Sequence, residues 1–350
     1  MIELLNSNFA PLKTGNRTFP DALFRLLNDA KSIKIASGFV SEDSIATLLG
    51  LYDRGYKAEL NLIAGMGGID GFPHAQFNAL VSLGEVLRRG NFGNVFIAKV
   101  SRYHGKVYSF CSKRGNHTAI LGSSNLTKIS GGERLYDTDM LISDETLNAE
   151  IETFLTELQN QYCIPIERLT KDEIKIREPD NLFSDYLGVE KMHAADLYNV
   201  VNSLTRTKFE IPIKPEQKSH LNCYFGKGRK TPSGLIVPRD WYETDIMAGQ
   251  EVRNKRGYPK FHTFTVITDD GYRFECVTNG AEAKSFRSHK DLKIIGRWLK
   301  GRMEVSGALQ VGEFVSREVQ QKYGRESFTL TETTIPNTWF LDYGVKNDIS

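Results

Sequence analysis

The sequence predicts two domains, an α/β N-terminal domain with a mixed sheet flanked by helices and a C-terminal domain that is mostly β. The length of 350 residues is enough for two hydrophobic cores, and 40% hydrophobic with 25% charged residues is typical of a globular protein. Short apolar strands alternate with helical segments in the first half, whereas strands and turns dominate the second. We place the domains at residues 1–165 and 213–350, with a helical linker at 166–212.

In the N-terminal domain, the predicted elements are a strand, a helix, a strand, a helix and a strand. In order they are SIKIASGF, SEDSIATLLGLYDRG, AELNLIAGM, the segment around FNALVSLGEVLRRG, and NVFIAKV. Three strands then follow in close succession: KVYSFCS, HTAILGSS and TDMLIS. Ser143 and Asp144 are favourable capping residues, so they predict the start of a closing helix, DETLNAEIETFLTELQNQYC.

The linker and the C-terminal domain have a different pattern. From about residue 165 to 215 the chain is charged and interrupted by prolines, with a helical stretch near EKMHAADLYNVVNSL. The strands predicted beyond it are HLNCYFG, GLIVP, FHTFTVIT, YRFECVT, LKIIGRWL, SFTLTET and TWFLDYGV. Their regular spacing, with Gly, Asn and Asp between them, predicts a small barrel or sandwich with few helices.

Composition narrows the class of protein. No run approaches the ~18 to 20 uncharged apolar residues that span a bilayer, and the first residues lack the order of a signal peptide, so we expect a cytoplasmic protein without a membrane partner. The four cysteines are far apart with no CxxC pair, which predicts reduced thiols and no zinc site. Residues 201–350 carry 24 Lys and Arg against 18 Asp and Glu, and this basic half indicates a polyanionic partner.

The strand YHGKVYSF carries polar residues two positions apart. Alternate side chains of a strand share a face, so His104, Lys106 and Tyr108 point the same way and the first two can meet one ligand. The three-residue pattern HxK is short enough to arise by chance, and ordinary polar residues on a half-exposed strand would give the same spacing.

A second motif strengthens the functional interpretation of this strand. GSSN follows the next predicted strand, at a strand end of the kind where ligand sites gather in α/β proteins. Together the two motifs supply an imidazole, an ammonium, a hydroxyl and a carboxamide. Lys106 and Asn125 can hold the non-bridging oxygens of a phosphodiester. Ser123 can donate a further hydrogen bond, and His104 can attack phosphorus.

HGK followed by GSSN resembles the HxK and GSxN signature of the phospholipase D superfamily, specifically its small nucleases with one motif copy per chain. The resemblance implies a phospholipase-D-like fold and a metal-independent reaction without a cofactor, in which His104 forms a covalent phosphohistidine. A single HxK implies a homodimer through the N-terminal domain, with His104 of both subunits in one site. The longer form of the signature has an Asp where this chain has Cys111.

The same family has an acidic residue after GSxN that orients the catalytic histidine. The candidates are Asp137, just before the strand TDMLIS, and Glu133 in the preceding loop. We favour Asp137 because it alternates with Asp139 and Leu141 onto one strand face. A loop acid that faces solvent remains an equal alternative for either residue.

Two basic stretches of the C-terminal half fall on predicted turns, FGKGRKTPSG and VTNGAEAKSFRSHKDLK. Basic loops on a compact barrel would reach the phosphates and base edges of DNA, although basic loops can also serve solubility alone. The candidate DNA-binding residues are Lys227, Arg229, Lys230, Asn279, Lys284, Arg287 and Ser288.

Three segments of this half, GLIVPRDWYE, KSFRS and GRWLKGR, resemble B3-like DNA-recognition domains, pseudobarrels that clasp the major groove with two arms. The matching arms would be residues 227–234 and 279–288. The order of the two domains resembles metal-independent restriction endonucleases of the BfiI and NgoAVII type. This resemblance implies a sequence-specific endonuclease for double-stranded DNA. It also implies a cognate DNA methyltransferase and, in some systems, a separate ATPase or translocase subunit.

Two alternative functions share parts of this pattern. A phospholipase-D-type lipid phosphodiesterase has the same motif, but the single copy and the basic β-rich half argue against it. A non-catalytic DNA-binding protein such as a repressor would be consistent with Cys111. The other motif residues, His104, Lys106, Ser123 and Asn125, are all present, which argues against a non-catalytic protein.

Overall fold

The computed structural model describes residues 1–130, 135–170, 173–177, 182–183, 186, 188–216 and 220–345. The chain forms two compact units. The first unit consists of Met1–Asp180 and Lys227–Trp241, and the second of Asn181–Gly226 and Tyr242–Ser350. The segment Lys227–Trp241 therefore belongs with the N-terminal part of the chain, although it is distant in sequence.

The first unit contains the elements of the expected α/β domain. They are β1 (Ile2–Asn6), α1 (Phe19–Asp29), β2 (Ala30–Ser37), α2 (Glu42–Asp53), β3 (Glu59–Ala64), α3 (Gly67–Asp70), β4 (Phe72–Pro73), α4 (His74–Arg89), β5 (Gly93–Ala98), β6 (Lys106–Ser112), β7 (His117–Gly122), β8 (Thr138–Ile142), α5 (Glu145–Tyr162), β9 (Cys163–Pro165) and β10 (Ile176–Arg177).

The main sheet of this unit has the order β1-β8-β7-β6-β2-β3-β5-β9. Strands β2, β3 and β5 run parallel, and the remaining pairs are antiparallel, which confirms the mixed sheet. Asp144 caps α5 as expected, since its carboxylate accepts a hydrogen bond from the backbone N–H of Leu147 at 3.0 Å. Helix α5 buries Ile151, Leu155 and Leu158 against apolar residues of the sheet.

The second unit is mostly strands. Its elements are β11 (Glu190–Lys191), α6 (Ala194–Asn202), β12 (Leu204–Pro212), β15 (Ile246–Met247), α7 (Gln250–Arg253), β16 (Thr263–Thr268), β17 (Tyr272–Asn279), β18 (Ser285–Ser288), α8 (Ile294–Val305), α9 (Arg317–Tyr323), β19 (Ser327–Thr333) and β20 (Thr338–Asp342). The short strands β13 (Arg229–Lys230) and β14 (Ile236–Val237) form a hairpin in the first unit.

The strands of the second unit form one sheet in the order β12-β19-β20-β16-β17-β18-β15, with β11 paired to β17. This sheet is consistent with a half-barrel and confirms the mostly-β prediction. Strand β12 lies within the range predicted as a helical linker. The boundaries at residues 165 and 212 stay a prediction.

Two predicted strands of the second unit are wrong. LKIIGRWL lies mainly in helix α8, because its apolar residues continue at helical spacing through Met303 and bury one face. HLNCYFG contains a 3-10 turn at Cys223–Phe225 instead of a strand. Asn222 fixes this turn, since its side chain exchanges two hydrogen bonds of 3.0 Å with the backbone of Val315. Among the described helices, none is both long and apolar enough to cross a membrane.

Candidate active site and nucleic-acid interface

The two motifs meet at one edge of the sheet in the first unit. The first residue of β6, Lys106, pairs with Ser37 at the end of β2, and Val107 pairs with Leu121 near the end of β7. Gly122 in turn pairs with Asp139 near the start of β8. The ends of three neighbouring strands therefore bring HGK, GSSN and the acidic segment before β8 together.

His104 and Lys106 form the centre of this edge. His104 is exposed immediately before β6, whereas only 8% of Lys106 is exposed. The Nζ atom of Lys106 lies 3.1 Å from His104 Nε2 and donates a hydrogen bond of 2.7 Å to the His104 carbonyl oxygen. Burial lowers the pKa of Lys106, and the negative charge of Asp137 opposes this shift. The lysine thus fixes the histidine and keeps a cation beside its ring.

Close backbone packing holds the segment that carries His104. A Cβ atom at Gly65 would lie 2.1 Å from the carbonyl oxygen of Tyr103, and one at Gly38 would lie 3.1 Å from the Cα atom of His104. The backbone N–H of Gly38 also donates to Gly105 at 2.9 Å. Because a side chain at Gly65 would displace Tyr103, this glycine determines where the histidine backbone lies.

Ser123 and Asp137 form a contact on the same edge. The Ser123 hydroxyl donates to Asp137 Oδ1 at 2.6 Å and accepts from the backbone N–H of Thr138 at 3.0 Å. Asp137 is half-buried, and its backbone pairs with Ser7 of the segment after β1. The structure thus joins Asp137 to the GSSN motif. Glu133 lies outside the described residues.

Hydrogen bonds fix the remaining GSSN residues, and those of Ser124 are buried. Ser124 donates from its backbone N–H and its hydroxyl to the carboxylate of Asp139, at 2.9 and 2.6 Å, and its carbonyl oxygen accepts from Tyr108 Oη at 2.8 Å. Burial raises the pKa of Asp139, and the hydrogen bonds from Ser124 oppose this shift. Asn125 Oδ1 accepts from the Phe39 N–H at 3.1 Å, and the hydrogen-bond donor of this side chain is its Nδ2 group.

The structure places the predicted DNA-binding residues in two different units. Lys227, Arg229 and Lys230 are exposed on the β13–β14 hairpin of the first unit. The tip of this hairpin contacts α1, since Asn28 Nδ2 donates to the Ser233 carbonyl at 2.7 Å.

The other four candidates lie on β17, β18 and the turn between them, in the second unit. Lys284 is exposed, and Asn279 and Arg287 are half-buried. With its amide oxygen turned towards Arg287, Asn279 accepts from Nη2 at 2.5 Å. Ser288 is buried, and its hydroxyl donates to the Asp291 carbonyl at 2.6 Å. Its hydroxyl is thus engaged within the unit.

Two sequence families match this chain. A model described as the NgoFVII restriction endonuclease N-terminal PLD domain matches residues 21–172, and one described as the NgoFVII C-terminal B3-like DNA-binding domain matches residues 199–334. Together they cover most of the chain in the same order. This chain belongs to the NgoFVII restriction endonuclease family. It is therefore a hydrolase of the nuclease type, with a DNA-binding domain, as the motifs predicted.

Solved structures are similar to the chain over about half its length. The phospholipase D family member Nuc from Salmonella typhimurium is 12% identical, covering 47% of this chain and 97% of its own, with a TM-score of 0.34. NucT from Helicobacter pylori is 18% identical, covering 47% and 99%, with a TM-score of 0.30. Phosphatidylserine synthase from Haemophilus influenzae Rd KW20 is 16% identical, covering 49% and 41%, with a TM-score of 0.37. Among the curated proteins compared, none matches the chain.

In this member of the NgoFVII family, three residues of the site were not identified as site residues from the sequence. Asp139 clamps Ser124, Phe39 holds Asn125 and contacts the His104 ring edge-on at 5.7 Å between ring centroids, and Gly65 makes room for Tyr103. A signal existed for Asp139, because the DTD pattern puts two acids on one strand face. No local signal marks Phe39, which reaches the site only through the topology of the sheet.

Proposed function

We propose that this chain is a sequence-specific endonuclease for double-stranded DNA that hydrolyses phosphodiesters without a metal ion, through a covalent phosphohistidine on His104. The observation that carries the proposal is an exposed histidine ring held 3.1 Å from the ammonium of Lys106, beside the GSSN turn. This arrangement offers a nucleophile, a fixed cation and amide donors to one phosphate group.

The proposed reaction has two displacements at phosphorus. A ring nitrogen of His104 attacks, the bond from phosphorus to the leaving oxygen breaks, and an acid protonates that oxygen. Water then attacks the phosphohistidine, loses a proton to the same group and releases the histidine. Lys106 and Asn125 would neutralise and orient the non-bridging oxygens in both steps. Asp137 would act through Ser123 and through its attraction for the charge of Lys106.

The acid in the first step is proposed to be His104 of a second subunit. One chain supplies one such histidine, so a homodimer formed through the N-terminal domain would complete the site on its two-fold axis. Exposed apolar side chains support this arrangement, because Phe39 lies edge-on to His104 and Tyr103 contacts Phe154. Phe39 and Phe154 are each 46% exposed, and such exposed apolar surface is typical of an interface.

The choice of DNA site is proposed to reside in the B3-like domain, with the predicted arm residues as its contacts. The family resemblance also leads us to propose a cognate methyltransferase that protects host DNA. On the basis of the same resemblance, we propose that a separate ATPase or translocase subunit assists cleavage.

Digestion of plasmid DNA tests the metal-independent reaction. We expect the purified chain, with its partner proteins where they are needed, to cut plasmid DNA at a fixed sequence in excess EDTA, because His104 and Lys106 perform the roles that a metal ion has in other nucleases. End sequencing of the products measures the site. Cleavage that stops in EDTA and returns with magnesium would contradict the mechanism, and random ends would contradict the specificity.

A further inference from the structure

A basic loop of the second unit is not among the predicted arms. It comprises residues 254–262, NKRGYPKFH, between α7 and β16, and is called the basic loop below. It contains three basic residues and no acidic residue, and Lys255, Arg256 and Lys260 are all exposed. A short segment with this charge and exposure favours contact with an anion over a solubilising role, provided that the loop is held in place.

The basic loop is indeed anchored to the unit. Tyr258 and Pro259 are buried, and the Tyr258 ring packs edge-on against Phe209. The hydroxyl of Thr278, a fully buried residue of β17, donates to the Pro259 carbonyl at 2.5 Å and accepts from the Phe261 N–H at 3.1 Å. One side chain thus fixes the loop on both sides of Lys260, and the adjacent residue on β17 is Asn279.

Phe261 is the unusual residue of the loop. Its side chain is 64% exposed, and its backbone has φ of +59°, a left-handed conformation that a bulky residue rarely adopts. Thr278 holds the backbone in this conformation, and the phenyl ring is exposed in a loop that also carries three exposed cations. Strain that is held at an exposed aromatic residue is typical of a functional site rather than of packing.

The basic loop adjoins the turn between β17 and β18. Arg253, at the end of α7, forms an ion pair of 2.6 Å with Glu282 in that turn, and the Ala248 N–H donates to the Lys284 carbonyl at 2.8 Å. Strand β16 begins just after the loop and pairs Thr263 with Val277 of β17. The loop, Asn279 and Arg287 therefore lie at one end of the same sheet.

We propose that the basic loop is a further DNA-contacting element of this unit, which engages the duplex next to the segment contacted by the turn between β17 and β18. Lys255, Arg256 and Lys260 bind backbone phosphates, and Phe261 makes an apolar contact with bases in the groove. The inference rests on the proposed function, because it assigns residues to the recognition of the same substrate. One exposed aromatic ring in a loop with three exposed cations fits a nucleic acid, whereas a protein interface of ordinary size needs a larger apolar surface.

Binding of the full-length chain to two probes tests the loop, with His104→Ala in every variant so that the DNA stays intact. One probe is a duplex selected by the chain from a random-sequence library, and the other is poly(dI-dC). Phe261→Ala should weaken the selected duplex about 10- to 100-fold and leave poly(dI-dC) unchanged. Replacing Lys255, Arg256 and Lys260 together by Gln should weaken both probes and reduce the slope of log K against log salt by about 2 to 3.

Further variants separate binding from folding. Glycine adopts a positive φ without strain, so the melting temperature of Phe261→Gly should equal the parent's or exceed it by up to about 4 °C. This variant should still lose its affinity for the selected duplex, as Phe261→Ala does. Two matched controls change exposed residues elsewhere on the unit: Tyr198→Ala removes an aromatic ring on α6, and Arg317→Gln removes a cation on α9. Both controls should bind the two probes like the parent.

The outcomes distinguish this inference from the proposed function. If the loop variants bind both probes like the parent while Arg287→Ala loses the selected duplex, the loop is not a DNA contact, and the proposed function stands. If the chain selects no duplex from the library, the recognition role fails and the loop assignment fails with it.

Discussion

His104→Ala should reduce DNA cleavage by about 10⁴-fold or more, because this exposed ring is the proposed nucleophile. Binding of DNA should not change, since the replaced side chain is exposed and does not pack in the core. The measurement is single-turnover cleavage of a plasmid, with binding followed on the same DNA. His117→Ala is the matched control, because His117 is an exposed histidine on the neighbouring strand β7.

Mixtures of subunits extend this test to the proposed dimer. If each site needs His104 from two chains, equal amounts of wild-type and His104→Ala subunits, exchanged to equilibrium, leave only about a quarter of the dimers with two histidines. The cleavage activity of the mixture should then fall below the activity that the wild-type subunits in it would have on their own. Activity that follows the wild-type share in strict proportion would argue for independent subunits, and full activity of His104→Ala would remove the proposed nucleophile.

Asp139→Ala should lower the free energy of unfolding by about 2 to 3 kcal/mol, because it leaves the buried N–H and hydroxyl of Ser124 without their acceptor. It should also lower cleavage about 100-fold at a temperature where the variant is folded. Asn125 follows Ser124 directly, so a Ser124 that has lost its contact with Asp139 would let Asn125 move. A displacement of the Asn125 side chain by about 1 Å is enough for such a loss of rate.

Two further variants separate the effect of Asp139 on cleavage from its effect on stability. Asp139→Asn keeps an oxygen that can accept from the Ser124 N–H, so it should recover most of the lost cleavage. Asp144→Ala removes the cap of α5 and should cost about 1 kcal/mol of stability without a change in cleavage by folded protein. If Asp139→Ala cleaves DNA at the wild-type rate, Asp139 does not position the GSSN turn.

Much of the candidate site could be predicted from the sequence because strand geometry is local. The alternation in YHGKVYSF placed His104 and Lys106 on one face, and the apolar strand HTAILGSS ended where a ligand site is expected. The structure brings these segments together through antiparallel pairing of β6 and β7. The alternation of Asp137 with Asp139 was likewise visible, but not their different contacts with Ser123 and Ser124.

Other features depend on contacts between segments that are distant in the sequence. LKIIGRWL is too short to distinguish a buried helix from a strand, and only burial against the second unit's core selects the helix. The position of Phe39 follows from its backbone hydrogen bond to Asn125, 86 residues later. The membership of the β13–β14 hairpin in the first unit rests on contacts such as Asn28 with Ser233, which no local pattern predicts.

The stereochemical course at phosphorus tests the central claim most directly. A DNA substrate with a phosphorothioate of one configuration at the cleaved bond would be hydrolysed in water enriched in oxygen-18, and the configuration of the product determined. Two displacements through a phosphohistidine predict retention of configuration. Inversion would mean that water attacks the DNA directly, and the covalent role of His104 would then be wrong.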